Sequence, residues 1–303
     1  MALISRKNRL LLLKFLSLFS VVRGYNILII VIAQYLTSIY ILAPDLPVKD
    51  VLFDPNLFLL ILASSMVIAG GYIINSFYDS EKDLINRPTK TKLDHLISQK
   101  KILALYFVLN FLSVIVASYV SFRAVLFFSI YIFGIWFYSH KLKKIPLLGN
   151  ITSAILSITP FFVVFIYYGN FQQVIFVHAM FLFLILSMRE IIKDLENIKG
   201  DLALNYRTIP VVWGEKWAKL NITGLLLLTA VPIYLLVNYY DVGHMIYYFY
   251  LSIILLVVFL FMVWKSREKL HYLVLHNILK FIIVFGVFCI LFIDMDTVIN
   301  RIF

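Results

Sequence analysis

Long apolar runs alternate along this chain with short segments that carry nearly all of the charge. A helix needs roughly 20 apolar residues to cross a bilayer, with a range of about 17–25. Nine runs near that length stand out, at about 18–43, 57–78, 102–121, 123–138, 150–168, 172–188, 220–238, 245–264 and 276–293. Neighbouring runs adjoin closely at Ser121–Arg123 and Gly169–Gln172, which predicts tight hairpins on one membrane face. The pattern therefore predicts an all-α, polytopic membrane protein with nine transmembrane helices, organised as a single domain over 1–303.

Composition supports lipid as the solvent. The chain is 62% hydrophobic and 14% charged, against about half and a quarter for a soluble domain. That excess has no place in a soluble core of this size. The formal charge of +11 does not point to nucleic acid, because the basic residues sit in the connecting segments. With the N-terminus inside and the spans alternating, 22 of the 27 Lys and Arg fall in inside segments. Only Lys49, Arg123 and Arg301 fall outside, while Arg23 and Lys280 lie within spans near the inner face. The bias predicts a cytoplasmic N-terminus, an external C-terminus and residence in the cell's inner membrane. Arg6, Lys7 and Arg9 precede an apolar run without a small-residue cleavage site, which reads as a first span and not a signal peptide. The one cysteine, Cys289, lies in an apolar run and reads as a small buried hydrophobe. The six histidines show no metal-binding spacing.

Acidic residues carry the chemistry. Eight of the 16 cluster after the second and sixth spans: Asp79, Glu81, Asp83 and Asp94 in one segment, Glu190, Asp194, Glu196 and Asp201 in the other. Both segments fall on the same membrane face. Asn75, Asp79 and Asp83 are spaced i, i+4, i+8, so a continued second span puts them on one helix face. That helix is expected to stop before Pro88. Asp194, Asn197 and Asp201 are spaced i, i+3, i+7, again one face, with Gly200 as the expected end. Carboxylates and amides so arranged form a hard oxygen set suited to Mg²⁺. Lys193, Arg87, Arg189, Lys199 and Arg207 supply cations for a diphosphate. The alternative is a pair of solvated loops with local ion pairs. Arg23 and Asn26 are polar groups in an apolar run, read either as site residues or as a snorkelling Arg and a helix–helix hydrogen bond. Tyr138, Lys141 and Lys143 either face the diphosphate or anchor the inner interface.

These motifs resemble the UbiA superfamily of intramembrane prenyltransferases. The family has an Asn-Asp-x-x-Asp-x-x-x-Asp motif after the second helix and a second Asp-rich motif after the sixth. Here Asn75, Asp79 and Asp83 match, with Ser76 in place of an Asp. In the second motif Asn197 and Asp201 stand at the Asp-x-x-x-Asp positions, with Asp194 one turn upstream. Arg23 and Asn26 resemble the family's Arg-x-x-Asn, the run Tyr138 to Asn150 its Tyr-Ser-x-x-Leu-Lys segment, and Arg207, Thr208, Pro210 and Gly214 the stretch after its second motif. The resemblance implies a helical bundle with a central cavity, capped on the cytoplasmic side by the two acidic segments. It also implies catalysis by Asp79, Asp83, Asp194 and Asp201 with Asn75 as a further Mg²⁺ ligand, and substrate binding by Arg23, Asn26, Asn75, Arg87, Tyr138, Lys141, Lys143, Lys193 and Asn197. The donor is an isoprenoid diphosphate, the acceptor a lipophilic molecule, and membrane lipid the surroundings. The segments 83–88 and 189–194 most resemble the geranylgeranylglycerol-phosphate geranylgeranyltransferase branch, which implies ether-lipid synthesis. An aromatic acceptor, as in quinone synthesis, is the alternative. An anion transporter is the reading from another class, and would call for inverted repeats and broken helices near the midplane.

Overall fold

The computed structural model describes residues 6–94 and 96–294. Arg301, invoked above for orientation, lies outside them. In chain order the helices are α1 (Arg6–Val21), α2 (Gly24–Thr37, prolonged by a π turn at Ser38–Leu42), α3 (Val48–Leu52), α4 (Pro55–Tyr78), α5 (Ser80–Asn86), α6 (Pro88–Asp94), α7 (Gln99–Ser118), α8 (Phe122–His140), α9 (Leu148–Tyr168), α10 (Gln173–Glu196), α11 (Ile198–Ala203), α12 (Ile209–Val212), α13 (Gly214–Asn238), α14 (Ile246–Lys265) and α15 (Lys269–Cys289). No strand occurs among the described residues. Nine helices among them are long and apolar enough to cross a membrane: α2 with its π turn, α4, α7, α8, α9, α10, α13, α14 and α15. The all-α, nine-span expectation holds.

Four boundaries differ most from the expectation, one of them the start of α13, at Gly214 and not near 220. The first run, 18–43, is broken at Arg23, which adopts φ 51. α1 is therefore a separate helix and the span begins at Gly24, where a Cβ would overlap the Phe19 ring. The sixth span does not end near 188 but continues to Glu196, so Arg189, Glu190 and Asp194 are helical, not loop, residues. Charge lowers the hydropathy of that stretch without interrupting helical hydrogen bonding, and the helix ends only at Asn197. For the same reason α15 starts at Lys269, seven residues before the apolar run. The hairpins form as expected. Ser121 caps α8 by accepting from the Ala124 N–H at 3.1 Å, and Gly169, at φ 65, ends α9 in the left-handed region.

The chain divides into two compact units, Met1–Val31 with Leu59–Lys141, and Ile32–Phe58 with Leu142–Phe303. In the first, Val21, Ile73, Ile74 and Tyr106 form a core against which Ile102, Leu109 and Ile135 pack. Gly70 and Gly71 permit this, since a Cβ would stand 3.1 Å from Asn110 of α7 and 3.1 Å from Ile135 of α8. In the second, Ala154, Ile158 and Leu186 pack with Phe162, Leu182, Phe183 and Ile283, joining α9, α10 and α15. Buried Gln34 donates to the Pro160 carbonyl at 2.8 Å.

A polar clamp holds the second unit where α13 starts. Lys219, 6% exposed, pairs with Glu215 at 2.7 Å and donates to the Ser266 carbonyl at the end of α14 at 2.5 Å. Tyr272 of α15 donates to Glu215 at 2.7 Å. Three helices thus share one buried ammonium. Lys219→Met leaves the Ser266 carbonyl and Glu215 without this partner and is expected to cost about 2–3 kcal/mol, against about 1 kcal/mol for Tyr272→Phe. Thermal unfolding in detergent reads the order, and equal melting temperatures for wild type and Lys219→Met would refute the clamp.

Candidate active site

In the first unit the acidic motif is built on an almost unbroken helix. α4 ends at Tyr78, Asp79 takes φ −94 and ψ 4, and α5 follows. The i→i−4 bonds persist through the break: Asp79 N–H donates to Asn75 at 2.9 Å and Asp83 N–H to Asp79 at 2.7 Å. Asn75, Asp79 and Asp83 therefore keep their common face, as the spacing predicts. The helix stops at Asn86, and Arg87, at φ −142 and ψ 60 before Pro88, is its C-cap. Asp79 is buried and Asp83 half-buried. Burial first, and then the neighbouring Asp79 charge, hold the Asp83 carboxyl above the ordinary range, while Arg87, Lys90 and Arg23 pull it back. A raised carboxyl pKa means that ionised Asp83 weighs against the fold above that pKa, a penalty removed as pH falls or as a cation binds.

Arg23 and Asn26 converge on one partner that sequence reading missed. The Arg23 guanidinium lies 4.9 Å from the Tyr72 ring centre, and Asn26 donates to the Tyr72 hydroxyl at 3.3 Å. Tyr72 stands three residues before Asn75 and seven before Asp79, so the helical period was its signal. A second missed pair is Tyr78 and His140, 3.1 Å apart, with Trp136 stacked on the imidazole. Tyr138 is half-buried and Lys141 exposed, at the end of α8. Asp94, counted among the acids, serves structure: it pairs with Lys90 at 2.7 Å, and its carbonyl accepts from Ser17 at 3.3 Å.

In the second unit α10 delivers Lys193 and Asp194. Lys193 pairs with Glu190 at 2.7 Å. Asp194 accepts from Asn150 of α9 at 2.7 Å, which makes Asn150 an orienting residue absent from the candidate set. The helix breaks at Asn197, φ −107 and ψ 12, and not at Gly200, which lies inside α11. The Asn197 amide nitrogen donates to the Lys193 carbonyl at 2.7 Å. Asp201 is fully buried and accepts from Thr208 at 3.3 Å. Its backbone carbonyl takes the Tyr206 N–H at 2.9 Å. Lys143, also buried, and Lys144 bring their ammonium groups within 5.9 and 4.9 Å of the Tyr206 ring centre. Gly149 allows that loop to close, since a Cβ there would meet the Leu142 carbonyl at 3.0 Å. Thus Lys143 belongs to the second unit and Lys141 to the first.

The two motifs share one architecture. Each follows a 24-residue spanning helix, α4 or α10. Each breaks at a residue with nearly the same backbone angles, Asp79 or Asn197, and each continues in a short helix whose Asp lies four residues on. Asp79 and Asp83 correspond to Asn197 and Asp201, and Asp194 corresponds to Ser76. One motif carries Ser, Asp and Asp at these three places, the other Asp, Asn and Asp. Among the described residues no three His, Cys, Asp or Glu side chains gather into one metal cluster. The donor set is instead carboxylates supplemented by amides, the partial shell that Mg²⁺ takes when waters and phosphate oxygens complete it. The mutual repulsion felt by Asp83 is what a divalent cation relieves.

Known proteins share this fold and parts of this sequence. The chain is 38% identical over 153 residues to digeranylgeranylglyceryl phosphate synthase of Pyrococcus furiosus, a match covering 50% of this chain and about half, 54%, of that relative. It is 27% identical to the synthase of that name from Methanobrevibacter smithii, over 75% of this chain and 80% of the relative. A solved structure concerned with digeranylgeranylglyceryl phosphate synthase superposes with a TM-score of 0.66 at 20% identity, covering 91% of this chain and 97% of that one. A UbiA homologue from Archaeoglobus fulgidus, bound to GPP and Mg²⁺, gives 0.66 at 15% identity, covering 90% and 99%. Residues 16–272 match the model of the UbiA prenyltransferase family, and the chain belongs to that family.

Proposed function

We propose that this prenyltransferase moves a geranylgeranyl group from its diphosphate to the hydroxyl of a prenylglycerol phosphate, a step of ether-lipid synthesis. The observation that carries the reading is the repeated acidic register, Asp79/Asp83 and Asn197/Asp201 with Asp194, on chemistry that suits a metal-bound diphosphate. The relatives named for that lipid product support the choice of acceptor. The family match includes parts of both compact units, in keeping with one functional domain.

Asp79, Asp83 and Asn75 would hold one Mg²⁺, and Asp194, Asp201 and the Asn197 carbonyl another. Bound there, Mg²⁺ supplies Lewis-acid stabilisation of the charge that grows on the departing diphosphate. The chain's own cations add to it: Arg87 and Arg23 already bear on Asp83, and Tyr72 fixes the Arg23 guanidinium in place. Lys193, oriented by Glu190, Lys143 beside Tyr206, and Tyr138 and Lys141 at the end of α8 are further donors for phosphate oxygens. The apolar spans exclude water, which protects an allylic cation from hydrolysis. The acceptor oxygen bonds to C1 of the prenyl chain as the C1–O bond to diphosphate breaks, and the hydroxyl proton leaves with the diphosphate.

We also place the N-terminus in the cytoplasm and the C-terminus outside, in the cell's inner membrane. The distribution of 22 Lys and Arg against three supports it. A reporter inserted at Asp94 should read cytoplasmic and one fused after Phe303 external, and a cytoplasmic C-terminal reporter would overturn the orientation.

Purified protein supplied with geranylgeranyl diphosphate and geranylgeranylglyceryl phosphate should turn over with Mg²⁺ and stop on chelation. Full turnover in verified metal-free buffer would refute the metal mechanism. Asp79→Ala, Asp83→Ala and Asp201→Ala are each expected to lose roughly a hundredfold or more in kcat/KM. Asn197→Asp adds a carboxylate at the place that matches Asp79 and should lower the Mg²⁺ concentration for half-maximal rate. If Asn197→Asp leaves that concentration unchanged while Asp194→Ala raises it, Asp194 and Asp201 hold the ion without help from position 197.

A further inference from the structure

Two spans open on a strained turn of the same kind. A helix cap ordinarily has extended backbone and a side chain that accepts a hydrogen bond. Arg23, before α2, has φ 51. Leu147, before α9, has φ 63 and ψ −54 and makes no side-chain cap. There the Leu148 N–H donates to the Pro146 carbonyl at 2.7 Å, which closes a γ-turn of the rare, strained hand. Both residues nonetheless serve as the cap: the Arg23 carbonyl takes the Ile27 N–H at 3.4 Å and the Leu147 carbonyl the Ile151 N–H at 3.0 Å. Three residues on, at the same place in the first turn, each helix carries an asparagine that reaches the acidic-motif helix of its own unit. Asn26 donates to Tyr72 of α4 at 3.3 Å, seven residues before the break at Asp79. Asn150 donates to Asp194 of α10 at 2.7 Å, three residues before the break at Asn197. A left-handed residue other than glycine persists only where its surroundings over-determine it, and such strain gathers at functional sites.

In the second unit this arrangement bears directly on a motif carboxylate. The turn is held from two sides: a Cβ at Gly149 would meet the Leu142 carbonyl at 3.0 Å and the Lys143 Cα at 3.1 Å, and the Arg207 N–H donates to the Lys144 carbonyl at 3.1 Å. Asn150 is buried. One turn on, Ser153 hydrogen-bonds Glu190, which lies one turn before Asp194, so α9 grips α10 at two successive turns. The donor to Asp194 is a neutral amide, which orients a carboxylate and adds no charge against a cation. We propose that Asn150, set by the strained turn at Leu147, is a positioning residue that holds the Asp194 carboxylate in its Mg²⁺-binding orientation and so tunes the affinity of the α10 motif for the ion. The inference rests on the function proposed above and deepens it. It explains why a costly turn precedes α9, where an ordinary cap would have started the helix without strain.

The test is a double-mutant cycle on purified protein with inorganic diphosphate present, Mn²⁺ binding being read by electron paramagnetic resonance. Asn150→Ala, and Asn150→Leu, which is close to asparagine in shape, are each expected to weaken Mn²⁺ binding about tenfold or more, the usual cost of removing a residue that orients a metal ligand. In turnover, the Mg²⁺ concentration for half-maximal rate should rise by a similar factor, while the KM for geranylgeranyl diphosphate at saturating Mg²⁺ stays within about twofold. On an Asp194→Ala background, Asn150→Ala should change Mn²⁺ binding by less than about twofold, because a positioning residue acts only through the group it positions. A merely packing role would lower the melting temperature in detergent and leave Mn²⁺ binding alone. Losses that add in full in the double variant would overturn the proposal. So would unchanged Mn²⁺ binding in both Asn150 variants where Asp194→Ala weakens it. Unchanged binding in Asp194→Ala itself would instead remove Asp194 from the ligands of the proposed function, and this proposal with it.

Discussion

Lipid offers no hydrogen-bond partner to a backbone, and that constraint governs where this chain is able to do chemistry. Within a span the main chain must stay helical, so departures from helical geometry collect at span ends. Asp79 and Asn197 are such departures, each at the end of a 24-residue helix. Both are shallow: the amide four residues on still bonds back across the break, at 2.7 Å for Asp83 and 3.1 Å for Asp201. A shallow break keeps the residues of each motif in helical register while letting the short helix after it change direction. Rigid spacing of the candidate ligands and freedom from the apolar span are obtained together.

The same constraint explains which parts of the fold were legible in the sequence. Apolar length is a direct consequence of bilayer thickness, so the nine spans could be read to within a few residues at most of their ends. Helix ends rich in charge could not, because hydropathy measures side chains while a helix is held by its backbone. That is why α10 runs through Arg189 and Asp194 to Glu196, beyond the apolar run. The break at Arg23 was hidden for the opposite reason: no glycine or proline marks position 23 itself, and a left-handed arginine cannot be foreseen from composition.

The candidate site residues divide in a similar way. Those linked by local spacing, Asn75, Asp79 and Asp83 or Asp194, Asn197 and Asp201, were visible because a helix converts sequence intervals into shared faces. Partners that come from another helix were not: Tyr72 against Arg23 and Asn26, Asn150 against Asp194, Thr208 against Asp201. The first of these lay within reach of the same periodic argument, three residues before Asn75. The correspondence of Asp79 with Asn197 was open to the resemblance, which sets both at the first place of an Asp-x-x-x-Asp interval, and the backbone angles add that each stands at a helix break.

Position 23 holds a consequence of its own. A left-handed arginine costs about 1–2 kcal/mol that a glycine would not, and a glycine is present one residue later, where its missing Cβ makes room for Phe19. The backbone alone would favour a glycine here as well. What position 23 gains from a long cationic side chain is the stacking on Tyr72 and an electrostatic pull on Asp83. On the role proposed for Arg23, local stability and function therefore oppose one another at this residue. A screen that rewarded heat resistance alone would be drawn to relax this turn, and the protein it selected would be sturdier and poorer at its work.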